Sequence, residues 1–98
     1  MIVLGAEVLD QAARSYPNAK SAISRWKTIT EGAKWRTIIE LRQHFSAEAA
    51  GHCTVFDIKG NDFRLIAVVD YARAIVIVKH FLTHADYMKE AWKNECGC

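Results

Sequence analysis

Two hydrophobic periods divide the chain. Between residues 6 and 45 the apolar positions recur every three to four residues, and between 54 and 80 they crowd into β-branched and aromatic runs. Ile2, Val3 and Leu4 predict a short first strand that Gly5 breaks. Leu9, Ala12, Ala13 and Tyr16 share one face of a helix over Ala6 to Tyr16. Pro17 ends it, because proline donates no N–H and clashes with the preceding turn. Asn18 is placed to cap a second helix, whose stripe is Ala19, Ala22, Ile23, Trp26 and Ile29 and which stops at Gly32. A third helical stretch directs Trp35, Ile38, Ile39 and Phe45 inward. Tryptophans at this spacing are read as core in preference to base-stacking platforms. Phe45 to His52 is small, polar and ends near glycine, so it reads as a loop.

The second period predicts three antiparallel strands, Thr54 to Ile58, Phe63 to Val69 and Ala74 to His80. Gly60-Asn61 is a good first turn, and the second falls near Tyr71-Ala72. Thr83 can cap a last helix, with Asp86 three residues on in the capping-box position. Met88, Ala91 and Trp92 give that helix its apolar side. Helices, then an antiparallel sheet, then a short terminal helix make an α+β fold, and 98 residues predict one domain.

Side chains alternate faces along a strand. One face carries Phe56, Ile58, Phe63, Leu65, Ala67, Val69, Val76 and Val78, and should pack on the helices. The other carries Val55, Asp57, Lys59, Arg64, Ile66, Val68, Ile75, Ile77 and Lys79. A two-residue turn at Gly60-Asn61 sets Asp57 opposite Arg64. A second turn centred on Tyr71-Ala72 sets Arg64 opposite Lys79. Like charges opposite one another destabilise a sheet, so Lys59, Arg64 and Lys79 with one acid make sense around a bound anion such as phosphate. The plainer alternative is a solvated edge holding an Asp57–Arg64 pair. His84 and Tyr87 share a face of the last helix, where they can move protons or simply sit in an exposed first turn and in the core. His80 falls on the apolar face. His44 and His52 lie in or beside the loop.

A formal charge of +2 permits nucleic-acid binding without requiring it. No apolar run approaches the ~20 residues of a membrane span, and the first residues do not read as a signal peptide. The odd count of cysteines (Cys53, Cys96 and Cys98) then points to reduced thiols in the cytoplasm, with Cys96 to Cys98 as a frayed tail. No His, Cys, Asp or Glu group has metal-ligand spacing. No phosphate-cradling glycine loop or serine nucleophile motif is present.

Two stretches bring a family into view. Phe56 to Ile66, with Lys59-Gly60-Asn61 and Arg64-Leu65-Ile66, and Val78 to Tyr87, ending Thr83-His84-Ala85-Asp86-Tyr87, together resemble HigB-type toxins of the RelE superfamily. Tyr16-Pro17 and the tryptophans at 26 and 35 are also similar. Asp57 stands where that family usually has Asn, Lys79 where Arg is usual, and His80 where an apolar residue is usual. The resemblance implies a RelE-like fold and an endoribonuclease that cuts messages in the ribosomal A site, without metal or cofactor. A ribose 2′-OH attacks the adjacent phosphate and the 5′-oxygen leaves. It implies catalytic roles for Lys59, Arg64, Lys79, His84 and Tyr87, and RNA contacts from Lys59, Asn61, Arg64 and Lys79. It also implies a helix-turn-helix antitoxin of the HigA type, through which alone the toxin would meet operator DNA. Fold does not fix target, so a non-cleaving RNA-binding module and a gyrase-directed toxin are the rival readings.

Overall fold

The computed structural model describes residues 1–98. Ile2–Leu4 forms β1 and Ala6–Ser15 forms α1. A 3-10 turn over Pro17–Ala19 leads into α2, Lys20–Gly32. Then come α3 (Ile38–Arg42), β2 (Ala47–Ala50), β3 (Cys53–Ile58), β4 (Phe63–Asp70), β5 (Ile75–Thr83), α4 (His84–Met88) and α5 (Lys93–Cys96). The strands make one sheet in the order β1-β5-β4-β3-β2. All neighbours are antiparallel except β1, which runs parallel to β5 at the edge. The result is α+β and RelE-like, with the N-terminal helices on one face of the sheet.

The alternation in β3, β4 and β5 decides which face they cover. Phe56, Leu65, Ala67 and Val76 are fully buried beneath Leu9, Ile23, Trp26 and Leu41 from the helices. Trp26 meets Phe56 edge-on with centroids 5.4 Å apart, and Phe45 meets Phe56 the same way at 5.6 Å. Trp35 is also buried, its indole N–H donating to His44 Nδ1 at 2.8 Å. Trp26 and Trp35 are therefore core as expected, although Trp35 lies in the non-helical stretch between α2 and α3.

Several local expectations give way. Asn18 does not cap α2. It sits inside the 3-10 turn, and α2 begins after Ala19 with no side-chain cap. The third helix is only Ile38–Arg42, capped by Thr37, and Ile39 faces solvent at 71% exposure. The expected loop over 45–52 contains β2, an edge strand whose Ala47-Glu48-Ala49-Ala50 run pairs with β3. Alanine and glutamate carry little strand preference, so only pairing with β3 reveals it.

The largest correction is the register of β5. Asp70 pairs with Ile75, so the second turn spans four residues, with Asp70 Oδ1 accepting from the Arg73 N–H at 3.0 Å. A bulge between Ile66 and Ala67 then leaves Lys79 unpaired: Ala67 faces Val78 while Ile66 faces His80. The partner of Arg64 is Leu82, not Lys79. An extra residue in one strand reverses the facing of everything beyond it. His80 consequently joins the face of Ile66 instead of the apolar face, and its Nε2 lies 3.1 Å from Glu95.

The C-terminus also departs from expectation. Cys53 and Cys96 form a disulfide, and Cys96 is fully buried, so these thiols are not free and the tail is not frayed; only Cys98 is a free cysteine. The terminal helix is two short pieces, α4 and α5, with Met88 and Ala91 exposed and Trp92 buried. Thr83 does cap α4, its Oγ1 accepting from the Asp86 N–H at 3.1 Å, while the Asp86 carboxylate turns to Lys89. Thr83→Ala is expected to lower stability by about 1 kcal/mol in urea unfolding, and Thr83→Ser to leave it nearly unchanged.

Candidate active site

The face of the sheet away from α1 and α2 carries a polar cleft of about 270 Å³, lined by Glu48, Val55, Asp57, Asn61, Arg64 and Tyr87. The six side chains arrive from five pieces of the fold: β2, β3, the β3–β4 turn, β4 and α4. Asp57 and Arg64 are cross-strand partners on β3 and β4, as the Gly60-Asn61 turn implies. Glu48 comes from β2, opposite Val55. Tyr87 comes from α4, which Thr83 starts at the end of β5.

Arg64 is the centre of this arrangement. Its side chain is only 11% exposed. Nε lies 3.1 Å from Asp57 Oδ1, one Nη donates to Phe63 O at 3.1 Å, and the other donates to Asn61 Oδ1 at 3.3 Å. Ser46 Oγ holds the second Asp57 oxygen at 2.9 Å. A guanidinium has five N–H groups, so three are engaged by the protein and two are left to bind something else. The guanidinium carbon lies 5.2 Å from the Tyr87 ring centroid, within cation–π range. Trp92 stacks on that ring, with 5.1 Å between centroids and 9° between planes.

The other expected residues fall around the rim. Lys59 is exposed, at positive φ (54°), with Nζ 3.7 Å from Asp62 Oδ2. A non-glycine residue in that region is uncommon. The His84 backbone N–H donates to Asp62 O at 3.1 Å, which fixes the start of α4 beside the Lys59–Asp62 turn. Lys59, Asn61, Arg64, His84 and Tyr87 thus gather at one end of the sheet. Lys79 does not join them, since the bulge sets it elsewhere along β5, exposed and unpaired. The expected cluster of three cations and one anion is absent from the cleft, whose lining holds one cation, Arg64, and two acids, Asp57 and Glu48.

Free positive charge lies on the helical side instead. Seven of the thirteen Lys and Arg residues fall between Arg14 and Arg42, against only Glu31 and Glu40 in that span. None of the seven forms an ion pair, whereas Lys59, Arg64, Arg73, Lys89 and Lys93 all do. Ser46, Glu48 and Trp92 carried no sequence signal for this site, because their roles come from pairing and docking partners far along the chain.

This geometry has a family. Residues 19–90 match the HigB toxin family, described as the RelE-like toxic component of a toxin–antitoxin system. The chain belongs to the HigB toxin family. It is also 27% identical over 93 residues to the mRNA interferase HigB of Escherichia coli O6:H1, an alignment covering 91% of this chain and 90% of that protein. The HigB match includes the whole polar cleft, from Ser46 to Tyr87, and stops short of Trp92 and Cys96. Membership implies an antitoxin partner. No helix is long and apolar enough to cross a membrane.

Proposed function

We propose that this HigB-family chain is an endoribonuclease toxin that cuts messenger RNA on the ribosome, in the cytoplasm, and is held silent by a helix-turn-helix antitoxin. The observation that carries the reading is Arg64: a nearly buried guanidinium, fixed by three protein acceptors, with two N–H groups still unassigned in a cleft. A preorganised donor of this kind stabilises charge that develops in a transition state.

In this reading the scissile phosphate binds the free N–H groups of Arg64. The neighbouring ribose 2′-OH attacks phosphorus, the 5′-oxygen leaves, and a cyclic phosphate remains on the upstream fragment. One proton is removed from the 2′-OH and one is given to the leaving oxygen. In this reading Lys59, His84 and Tyr87 serve these transfers. With Trp92 stacked on its ring and Arg64 over it, Tyr87 contributes its hydroxyl rather than a stacking surface. Asn61 and Asp57 hold the guanidinium in plane. Lys79 acts outside the cleft, as a contact to the RNA backbone.

A cleft with two acids beside one arginine attracts free RNA weakly. Ribosome dependence fits this arrangement: the unpaired cations of the helical side hold ribosomal RNA, and the ribosome presents the message to the cleft. Lys20→Glu with Arg25→Glu, both exposed on α2, is expected to weaken ribosome binding. It should also lower the slope of log affinity against log salt by about one for each phosphate no longer neutralised. Filter binding across a salt series measures this; an unchanged slope overturns the assignment of that surface.

The function itself is tested by adding purified protein to translating ribosomes and mapping message ends. Cuts at codon boundaries, absent without ribosomes, support the proposal. Intact message with supercoiling defects, or ribosome binding without cuts, would replace it with a gyrase-directed or passive RNA-binding role.

A further inference from the structure

The segment after α4 is tied to the sheet by few bonds. Its one helical piece, α5, has four residues, too few to persist alone. One backbone hydrogen bond, His52 N–H to Cys96 O at 2.9 Å, and the exposed His80–Glu95 pair join it to the strands. Beyond these it depends on Trp92, which packs with Val55 and Ile66, and on the Cys53–Cys96 disulfide. Cys53, Val55 and Asp57 succeed one another on the same face of β3, so the disulfide closes the floor on which the polar cleft stands. Trp92 connects the two. Its indole N–H donates to Tyr87 O at 3.0 Å and its ring stacks on Tyr87, which in turn lies under Arg64.

We infer that the Cys53–Cys96 disulfide is a reversible redox modification site that sets the activity of the cleft, with a dithiol reductant as its substrate class and Trp92 as the positioning residue that transmits its state. Both cysteines are buried, so a thiolate of the dithiol attacks one of the two sulfurs during local opening of this weakly held segment. A mixed disulfide forms and the other cysteine leaves as thiolate. The second thiol of the reductant then displaces the first cysteine, so the protein gains two thiols and the reductant becomes a disulfide. Once open, the segment is held only by Trp92 packing, one backbone bond and one exposed ion pair. Trp92 leaves Tyr87, and Tyr87 no longer supports Arg64 from below. Misplacement of a catalytic group by about 1 Å can cost on the order of a hundredfold in rate. The effect on cleavage rests on the proposed function; the opening of the clasp does not.

The test uses the full chain carrying Cys98→Ser, which removes the free thiol and with it disulfide scrambling. Hydrogen exchange and message cleavage on ribosomes are compared before and after dithiothreitol. The inference predicts that reduction raises exchange in residues 88–98 while β3 and β4 stay protected, and that cleavage falls about tenfold or more. Trp92→Ala should give the low rate in either redox state, and reoxidation should restore the high rate only where Trp92 is present. Gly51→Ala provides a route independent of redox. Gly51 has φ +60 and a Cβ there would collide with the Cys96 carbonyl, so this variant should open the segment and lower cleavage even when oxidised. Unchanged exchange in residues 88–98, loss of protection throughout the sheet, or equal and measurable cleavage by both forms overturns the clasp. Regional opening on reduction in a protein that cuts no message in either form leaves the clasp standing and refutes the nuclease reading instead.

Discussion

Arg64→Ala is expected to reduce message cleavage on ribosomes by at least about a hundredfold, the scale of losing one preorganised donor to a transition state. The variant removes both unassigned N–H groups and leaves the cleft with Asp57 and Glu48 alone. It also frees Asp57 Oδ1, Phe63 O and Asn61 Oδ1 from their donor, so it should lower stability by about 1–3 kcal/mol. That loss is a fraction of the ~5–15 kcal/mol expected of a small domain, and the protein should remain folded by near-UV circular dichroism. Arg64→Lys separates charge from shape. Lysine keeps the positive charge but cannot meet Asp57, Asn61, Phe63 O and a phosphate together, so cleavage should stay low while stability partly recovers. Cleavage within threefold of the parent in a folded Arg64→Ala protein would remove Arg64 from the mechanism.

Trp26→Ala should be the most damaging single change to the fold. Trp26 is 1% exposed, on the inner side of α2, and it fills the space between Phe45 and Phe56. Truncating a buried tryptophan costs about 3–5 kcal/mol through lost burial and the cavity left behind. For a chain of this length that corresponds to a fall in Tm of roughly 15–30 °C. Trp26→Phe should cost much less, because the indole N–H has no hydrogen-bond partner to lose. Calorimetry of the two variants checks this. A Trp26→Ala protein within about 1 kcal/mol of the parent would mean that α2 is not packed on the sheet as described.

The parts of the fold that were legible in the sequence depend on local periodicity. Trp26 announced itself as core by helical spacing, whereas Trp35 is core without being on a helix. Phe56, Leu65 and Val76 announced themselves by alternation. The Asp57–Arg64 pairing followed from Gly60-Asn61 because a short turn fixes register within a few residues. Farther from a turn the same logic failed. The turn after Asp70 centres on Ala72-Arg73, one residue beyond Tyr71-Ala72, which shifted β5 by two positions and kept the faces right. The bulge at Ile66 and Ala67 added one more and turned Lys79 away from Arg64, and nothing in the strand composition marks it. Ala47–Ala50 became a strand only through β3. The Cys53–Cys96 link joins residues 43 apart, a separation at which spacing says nothing about contact. The candidate site was legible to the same extent: Asn61, Arg64, His84 and Tyr87 converge because they flank turns and caps, whereas Glu48, Ser46 and Trp92 enter through long-range docking.

The most direct measurement replaces one ribose in a ribosome-bound message by its 2′-deoxy form, immediately upstream of a mapped cut, and reads the message ends. A nucleophile supplied by the RNA itself, with Arg64 holding the phosphate, predicts that this one cut disappears while cuts at neighbouring codons persist. Continued cleavage at the modified bond would contradict it.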